Sequence, residues 1–266
     1  MDTLAIVSPG SGQDVAYRRE GRQGAPAVLL VHGLLSDHRM WDPVVERLMG
    51  DYEVLRYDLR GHGHSSAPPP PYTLEQLADD VPALLDALGI ARVHFIGTSL
   101  GGMIGQQVAA RHPHRLLSAT LANTGAVQGA AAAWDERIAL AREQGMAPLA
   151  EPTLQRWFGA AFRASAPSEV ERMRRTLLQV TRDGYVGCAT AVRNLSQLEL
   201  LPRITVPTLV IAGQNDEAIP HAAGEKIAQT IPGAQLVSLP TGHQAAVEQP
   251  EAFVAAWRTF VARVRP

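Results

Sequence analysis

VHFIGTSLGGMIGQQVAA, residues 93–110, decides the fold. Four apolar-rich residues of strand character, Val93 to Ile96, run into Gly97-Thr98-Ser99-Leu100-Gly101, and a segment of helical period over residues 100 to 111 follows at once. A GxSxG pattern between a strand and a helix places its serine on a sharp, strained turn, with the hydroxyl projecting beyond the sheet edge. The flanking glycines let strand and helix approach without a Cβ clash. The dipoles at the start of the helix favour negative charge developing near Ser99.

Outward from this turn, apolar runs of strand length alternate with helical segments, as in a largely parallel sheet covered by helices on both faces. The predicted strands are Val15 to Arg18, Ala27 to His32, Tyr52 to Tyr57, Val93 to Ile96, Leu116 to Ala122, Thr208 to Ala212 and Gln235 to Leu239. Several are continuously apolar, as strands buried on both faces should be. Helices are predicted at Trp41 to Met49, at Leu74 to Leu88 behind a Thr73/Gln76 capping box and stopped by Gly89, and at 100 to 111 and 249 to 263. Residues 124 to 203 break the alternation. They hold helical stretches near 130 to 144, 152 to 162, 168 to 181 and 185 to 197, with an Asp183-Gly184 turn before the last. The expected organisation is a core of residues 1–123 and 204–266, with 124–203 a helical lid over the carboxyl ends of the strands, where open α/β sheets bind ligands.

A serine hydroxyl is a weak nucleophile at neutral pH and needs a base whose tautomer a third group holds. His243 follows the last predicted strand in the loop Thr241-Gly242-His243, and Asp216 ends the loop Gly213-Gln214-Asn215-Asp216 after the preceding strand. Both hang from the sheet edge that carries Ser99, in the order Ser, Asp, His that accompanies a nucleophile elbow. Glu217 is the nearest rival acid and His221 the nearest rival base. The oxyanion of a tetrahedral intermediate needs donors already aimed at it. The N–H of Leu100, next after the nucleophile, supplies one; that of Leu34, in His32-Gly33-Leu34-Leu35 after strand 27 to 32, is assigned the other. His32 itself reads as architectural.

VHGLLS (31–36), YDLRGHGHS (57–65), GTSLGGMIG (97–105), GQND (213–216) and GHQAAVEQPEAF (242–253) together resemble the α/β-hydrolase superfamily across nearly the whole core. In the lid, AWDERIALAREQGMAPLAEPTLQRWF (133–158) and TRDGYVGCATAVR (181–193) resemble the 3-oxoadipate enol-lactonases of bacterial aromatic catabolism. The lid departs from that pattern at Cys188-Ala189, where two adjacent cysteines are usual, and at Arg193-Asn194, where an acid is usual. The resemblance implies a serine hydrolase of a small ester or lactone, with Ser99, His243 and Asp216 as triad and no cofactor. A lactone bearing a free carboxylate calls for a cation in the lid. Arg137, which shares a helix face with Trp134, and Arg193 are equal candidates. Arg60 is expected to brace its own loop. A carboxylesterase or C–C bond hydrolase is the enzymatic alternative; a slow-turnover ligand receptor is the alternative of another class.

Composition narrows the field. The chain has 266 residues, 46% apolar, with 24 Lys+Arg against 26 Asp+Glu, enough to bury a core without staples. A net charge of −2 provides no basic field for nucleic acid. One cysteine, Cys188, cannot form an intramolecular disulfide and is expected to be a small buried apolar side chain. The pairs His62/His64 and His112/His114 lack a third ligand at metal spacing, so no metal is expected. The start of the chain has no secretory pattern and no stretch approaches a membrane span, which makes the cytoplasm the expected location and a small molecule the expected partner. The oligomeric state is left open.

Overall fold

The computed structural model describes residues 4–9 and 13–264. Its eight strands are β1 (Ala5–Val7), β2 (Val15–Gly21), β3 (Ala27–Val31), β4 (Glu53–Tyr57), β5 (Val93–Thr98), β6 (Leu116–Ala122), β7 (Thr208–Gly213) and β8 (Gln235–Leu239). They form one sheet in the order β1-β2-β4-β3-β5-β6-β7-β8. β1 and β2 are antiparallel to their neighbours. From β4 to β8 every pairing is parallel. All residues of β3, β4, β5 and β7 are buried, which explains the unbroken apolar run of β3 and the predominantly apolar character of the others. The two charges in β4 are matched: Glu53 accepts from Arg19 at 2.6 Å, and Arg56 pairs with Glu20 at 2.7 Å and with Asp42.

The helices are α1 (Asp42–Leu48), α2 (Leu74–Ala87), α3 (Leu100–Arg111), α4 (Ala131–Gln144), α5 (Ala147–Trp157), α6 (Ala160–Ser165), α7 (Pro167–Gln179), α8 (Arg182–Arg193), α9 (His221–Thr230), α10 (Ala245–Glu248) and α11 (Pro250–Val261). α2 starts on the capping box predicted for it: the Thr73 hydroxyl accepts from the Gln76 amide, and the Gln76 side chain accepts from the Thr73 amide. Helices α4 to α8 all fall between β6 and β7, and among the described residues this stretch has no strand beyond a single bridge from Val127 to Ser196.

Several sequence expectations change. The predicted 152–162 helix is two, α5 and α6, separated at Phe158 and Gly159. Pro152 does not start it, because α5 already opens at Ala147 with Pro148 in its first turn, where a missing N–H costs nothing. Asp183-Gly184 is no connecting turn but the first turn of α8, capped by Thr181, whose hydroxyl accepts from the Gly184 amide at 3.0 Å. The predicted 249–263 helix is preceded by a separate turn of helix, α10. β1 and α9 were not anticipated: β1 has three residues, and α9 buries only Gly224 and Ile227. Among the described residues no helix is long and apolar enough to cross a membrane.

Candidate active site

β3, β5, β6, β7 and β8 are consecutive parallel neighbours, so the loops that leave their carboxyl ends gather along one edge. That edge carries His32 to Leu35, Ser99, Asn123, Asp216 and His243 in turn.

Ser99 sits between β5 and α3 with φ 54° and ψ −116°, a strained conformation for a residue with a Cβ. Close approach holds it there. A Cβ on Gly97 would run into the Gly101 carbonyl, and one on Gly101 into the carbonyl of Val31 on the neighbouring strand. Those are the two flanking glycines of GxSxG. The Ser99 carbonyl is tied down by the Thr124 hydroxyl at 2.7 Å and by the Met103 amide at 3.0 Å.

His243 is 3% exposed, and its Nδ1 lies 2.8 Å from Asp216 Oδ2. The carboxylate is fully engaged. Oδ1 accepts the Ala218 and Ile219 amides, each at 2.8 Å, and Oδ2 also accepts the Asn123 side-chain amide at 3.1 Å. Burial pushes the Asp216 carboxyl up, but the imidazole and these donors outweigh it and hold the group below its ordinary value. An ionised acid fixes the ring so that Nε2 is left to take a proton. Ser99 and His243 line one cavity of about 200 Å³, together with Leu34, Leu35, Met103, Trp134 and Arg137. No hydrogen bond joins the Ser99 hydroxyl to the imidazole, so that link is looser than the one between histidine and aspartate. The rivals are occupied elsewhere: Glu217 is exposed, and His221 opens α9 with Nε2 2.7 Å from the Ser238 hydroxyl.

The amides of Leu34 and Leu100 donate to no group among the described residues, whereas the next amide, Leu35, donates to His62 Nε2 at 3.2 Å. The loop that presents Leu34 is braced by two histidines. His32 Nε2 accepts the Leu59 amide at 2.9 Å and its Nδ1 lies 2.8 Å from the Gly33 carbonyl; His62 Nδ1 lies 2.9 Å from the Arg60 carbonyl. Burial lowers both imidazoles, His62 to about 4, which keeps them neutral acceptors for those amides. Asp37, His38 and Asp58 lie close enough to hold a cation. Their atoms serve the loop instead. Asp37 forks onto Arg39, and Asp58 accepts the His38 ring at 2.8 Å and the amides of His38 and His64 at 2.9 Å each. Burial pushes the Asp58 carboxyl up, and these contacts bring it down to about 2.

The helical insertion forms the other wall. Trp134 and Arg137 of α4 both line the cavity, with the guanidinium carbon 4.5 Å from the indole centroid. Arg193 does not line it. It forks onto Asp135 at 2.9 and 3.0 Å on the exposed surface, because the helical turn that aims Arg137 inward turns Asp135 outward to meet it. Arg60 braces α2 rather than its own loop, through a bidentate pair with Asp80 at 2.5 and 2.6 Å. Cys188 is fully buried against the Arg60 carbonyl at 3.8 Å, and burial pushes its thiol up, so it is inert packing. Sequence reasoning missed Asn123, which follows β6 with φ 45°, and Arg156, Thr153 and Trp157 of α5, all three lining the cavity. An asparagine at a strand end is a common turn residue, and only the crossing of two distant loops gives this one a role.

Comparison with known proteins bears on the family and the fold. Residues 26–250 match the family model described as alpha/beta hydrolase fold. The chain is 39% identical over 245 residues to 3-oxoadipate enol-lactonase 2 of Acinetobacter baylyi, covering 91% of this chain and 92% of that one. Among solved structures, the enol-lactonase from Burkholderia xenovorans superposes with a TM-score of 0.93 at 39% identity, over 95% of this chain and 98% of the other. A hydrolase from Pseudomonas aeruginosa gives 0.92 at 42% identity, over 97% and 98%. Sheet order, strained serine turn and sequence match lead to one placement: the chain belongs to the α/β-hydrolase fold family.

Proposed function

We propose that the protein is a serine hydrolase that opens 3-oxoadipate enol-lactone, with Ser99 as nucleophile, His243 as base and then acid, and Asp216 as the group that orients the imidazole. The Leu34 and Leu100 amides hold the oxyanion, and residues 124–203 act as a lid over the core formed by 1–123 and 204–266. Ser99 Oγ attacks the lactone carbonyl while His243 Nε2 takes its proton. Collapse of the tetrahedral intermediate breaks the ring C–O bond, and the imidazolium returns the proton to the departing enol oxygen. That oxygen stays attached to the acyl chain, so water must reach the acyl-enzyme before the ring closes again. The lid gives control over that access. Water, activated by the same imidazole, then releases the acid. No step calls for a cofactor.

The observation that carries this reading is the buried His243–Asp216 pair at 2.8 Å beside Ser99, on a cavity also lined by Arg137, which has no ion pair among the described residues. A guanidinium beside an indole suits the free carboxylate of the lactone. The relatives named enol-lactonase support the same substrate. The reading places the enzyme in the cytoplasm, acting on a small molecule, in keeping with the unpaired, buried Cys188.

Ser99→Ala is expected to lower kcat/KM on the enol-lactone, and on p-nitrophenyl acetate, by about 10⁴- to 10⁶-fold with an unchanged melting temperature. Turnover retained by that variant removes Ser99 from the mechanism.

A further inference from the structure

Arg156 faces the same cavity as Arg137 from a different helix, α5. Three arginines of the insertion are matched by acids and lie away from the cavity, Arg172 by Glu169, Arg174 by Glu151 at 2.7 Å and Glu171 at 3.1 Å, and Arg193 by Asp135; Arg137 and Arg156 are the arginines that line it. Arg137 and Arg156 have no ion pair among the described residues. The one hydrogen bond Arg156 makes is a long one, Nε to the Pro152 carbonyl at 3.3 Å. Burial lowers its guanidinium, and the charge on Arg137 lowers it further, so the two cations sense one another across the cavity.

Two hydroxyls sharpen the point. Thr153, three residues before Arg156 and on the same helix face, lines the cavity at 3% exposure, and its Oγ1 has no hydrogen-bond partner. The buried Tyr185 hydroxyl lies near both guanidiniums and leans on Arg137. Two cations with no carboxylate partner among the described residues and an orphaned threonine hydroxyl, all lining one cavity, form a site short of an anion.

We propose that Arg156, with the Thr153 hydroxyl beside it, is a specificity-determining residue that restricts the site to substrates carrying a free carboxylate remote from the scissile bond. The inference rests on the lactonase reading and adds a second arm to the one Arg137 provides. A carboxylate has two oxygens and about four acceptor positions, enough for both guanidiniums and a hydroxyl. A neutral ester of the same shape leaves the two cations facing each other uncompensated, so the site selects by penalty as well as by attraction.

The test compares wild type with Arg156→Met, Arg156→Lys and Thr153→Val in two measurements: kcat/KM on the enol-lactone against its primary amide, and adipate affinity by calorimetry. Arg156→Met is expected to weaken adipate binding and to lower kcat/KM on the acidic lactone by about 10- to 100-fold, through KM. On the amide kcat/KM should hold or rise, because one of the two uncompensated cations is gone, and Arg156→Lys should lie between wild type and Arg156→Met on the lactone. A purely structural role would move both substrates together. Equal losses on lactone and amide, or unchanged adipate affinity, overturn the proposal. An enzyme that fails to open the lactone yet binds adipate through Arg156 supports the anion site and sinks the lactonase reading. Arg156→Gln serves if the methionine variant is unstable.

Discussion

Asn123 shows how one side chain joins parts of the site that are far apart in the chain. Its amide nitrogen donates to Asp216 Oδ2 at 3.1 Å and to the Gly242 carbonyl at 3.2 Å, and so links the acid to the loop that carries His243. Its backbone is held at φ 45° by the strand-to-insertion turn, in the left-handed region that asparagine tolerates better than most residues. The two effects can be separated. Asn123→Gly relaxes the backbone and removes only the amide, and it should lower kcat about 10-fold with little loss of stability, as expected for one lost hydrogen bond to a charged group. Asn123→Ala removes the amide and keeps the strain, so it should also lose about 1 to 2 kcal/mol of stability. Kinetics and urea unfolding of the two variants check this; equal stability in both would show that the turn is not strained.

At the scale of elements, α8 is the part of the insertion pressed hardest onto the core. A Cβ on Gly184 would run into the Gly61 carbonyl, and one on Gly187 into the ring of Tyr72. The Thr181 hydroxyl adds a 3.0 Å hydrogen bond to the Gly61 carbonyl. Gly184→Ala is therefore expected to destabilise the protein by about 1 to 3 kcal/mol through overpacking against backbone that cannot retreat, read as a lower urea midpoint. A neutral effect would mean that α8 can lift from the 58–66 loop. α4 differs. It buries only Ile138 and Ala141, and its N-cap, Ala130, makes no side-chain hydrogen bond. The insertion thus combines a helix seated on the core with one, carrying Trp134 and Arg137, that is held to it through the Arg193–Asp135 pair. Another link runs from α5 to the loop after β8: the His243 amide donates to the Trp157 carbonyl at 2.9 Å, so the helix bearing Arg156 ends against the residue paired with Asp216.

The whole molecule responds to acid through its buried imidazoles. Burial lowers His62 to about 4, with the neighbouring His32 adding to the shift; burial, with Arg92, lowers His94 to about 4. In the unfolded chain these rings take protons as the pH falls through about 6.5, whereas the native protein resists until near 4. Over that interval the unfolded state binds more protons, so stability is full above pH 6.5 and is lost toward pH 4. Asp58 and Asp216, held below their ordinary values, add losses only further down. The urea midpoint should fall steadily between pH 7 and pH 4.5, and a flat profile would place these histidines in contact with solvent. The features legible along the chain are local or periodic. Apolar runs of strand length alternating with helical segments specify a buried parallel sheet, GTSLG between strand and helix specifies the elbow, and the positions of Asp216 and His243 after the last two strands follow from chain order. The pairing of Arg193 with Asp135 rather than with the cavity, the bracing of α2 by Arg60, the bridge made by Asn123 and the entry of Arg156 were decided only in three dimensions. Helical period gives each side chain an angle about its own axis, but which side of a short helix meets a ligand depends on how that helix packs on its neighbours. That packing is set by contacts between residues far apart in the chain, such as Gly61 with Gly184, which no local pattern records.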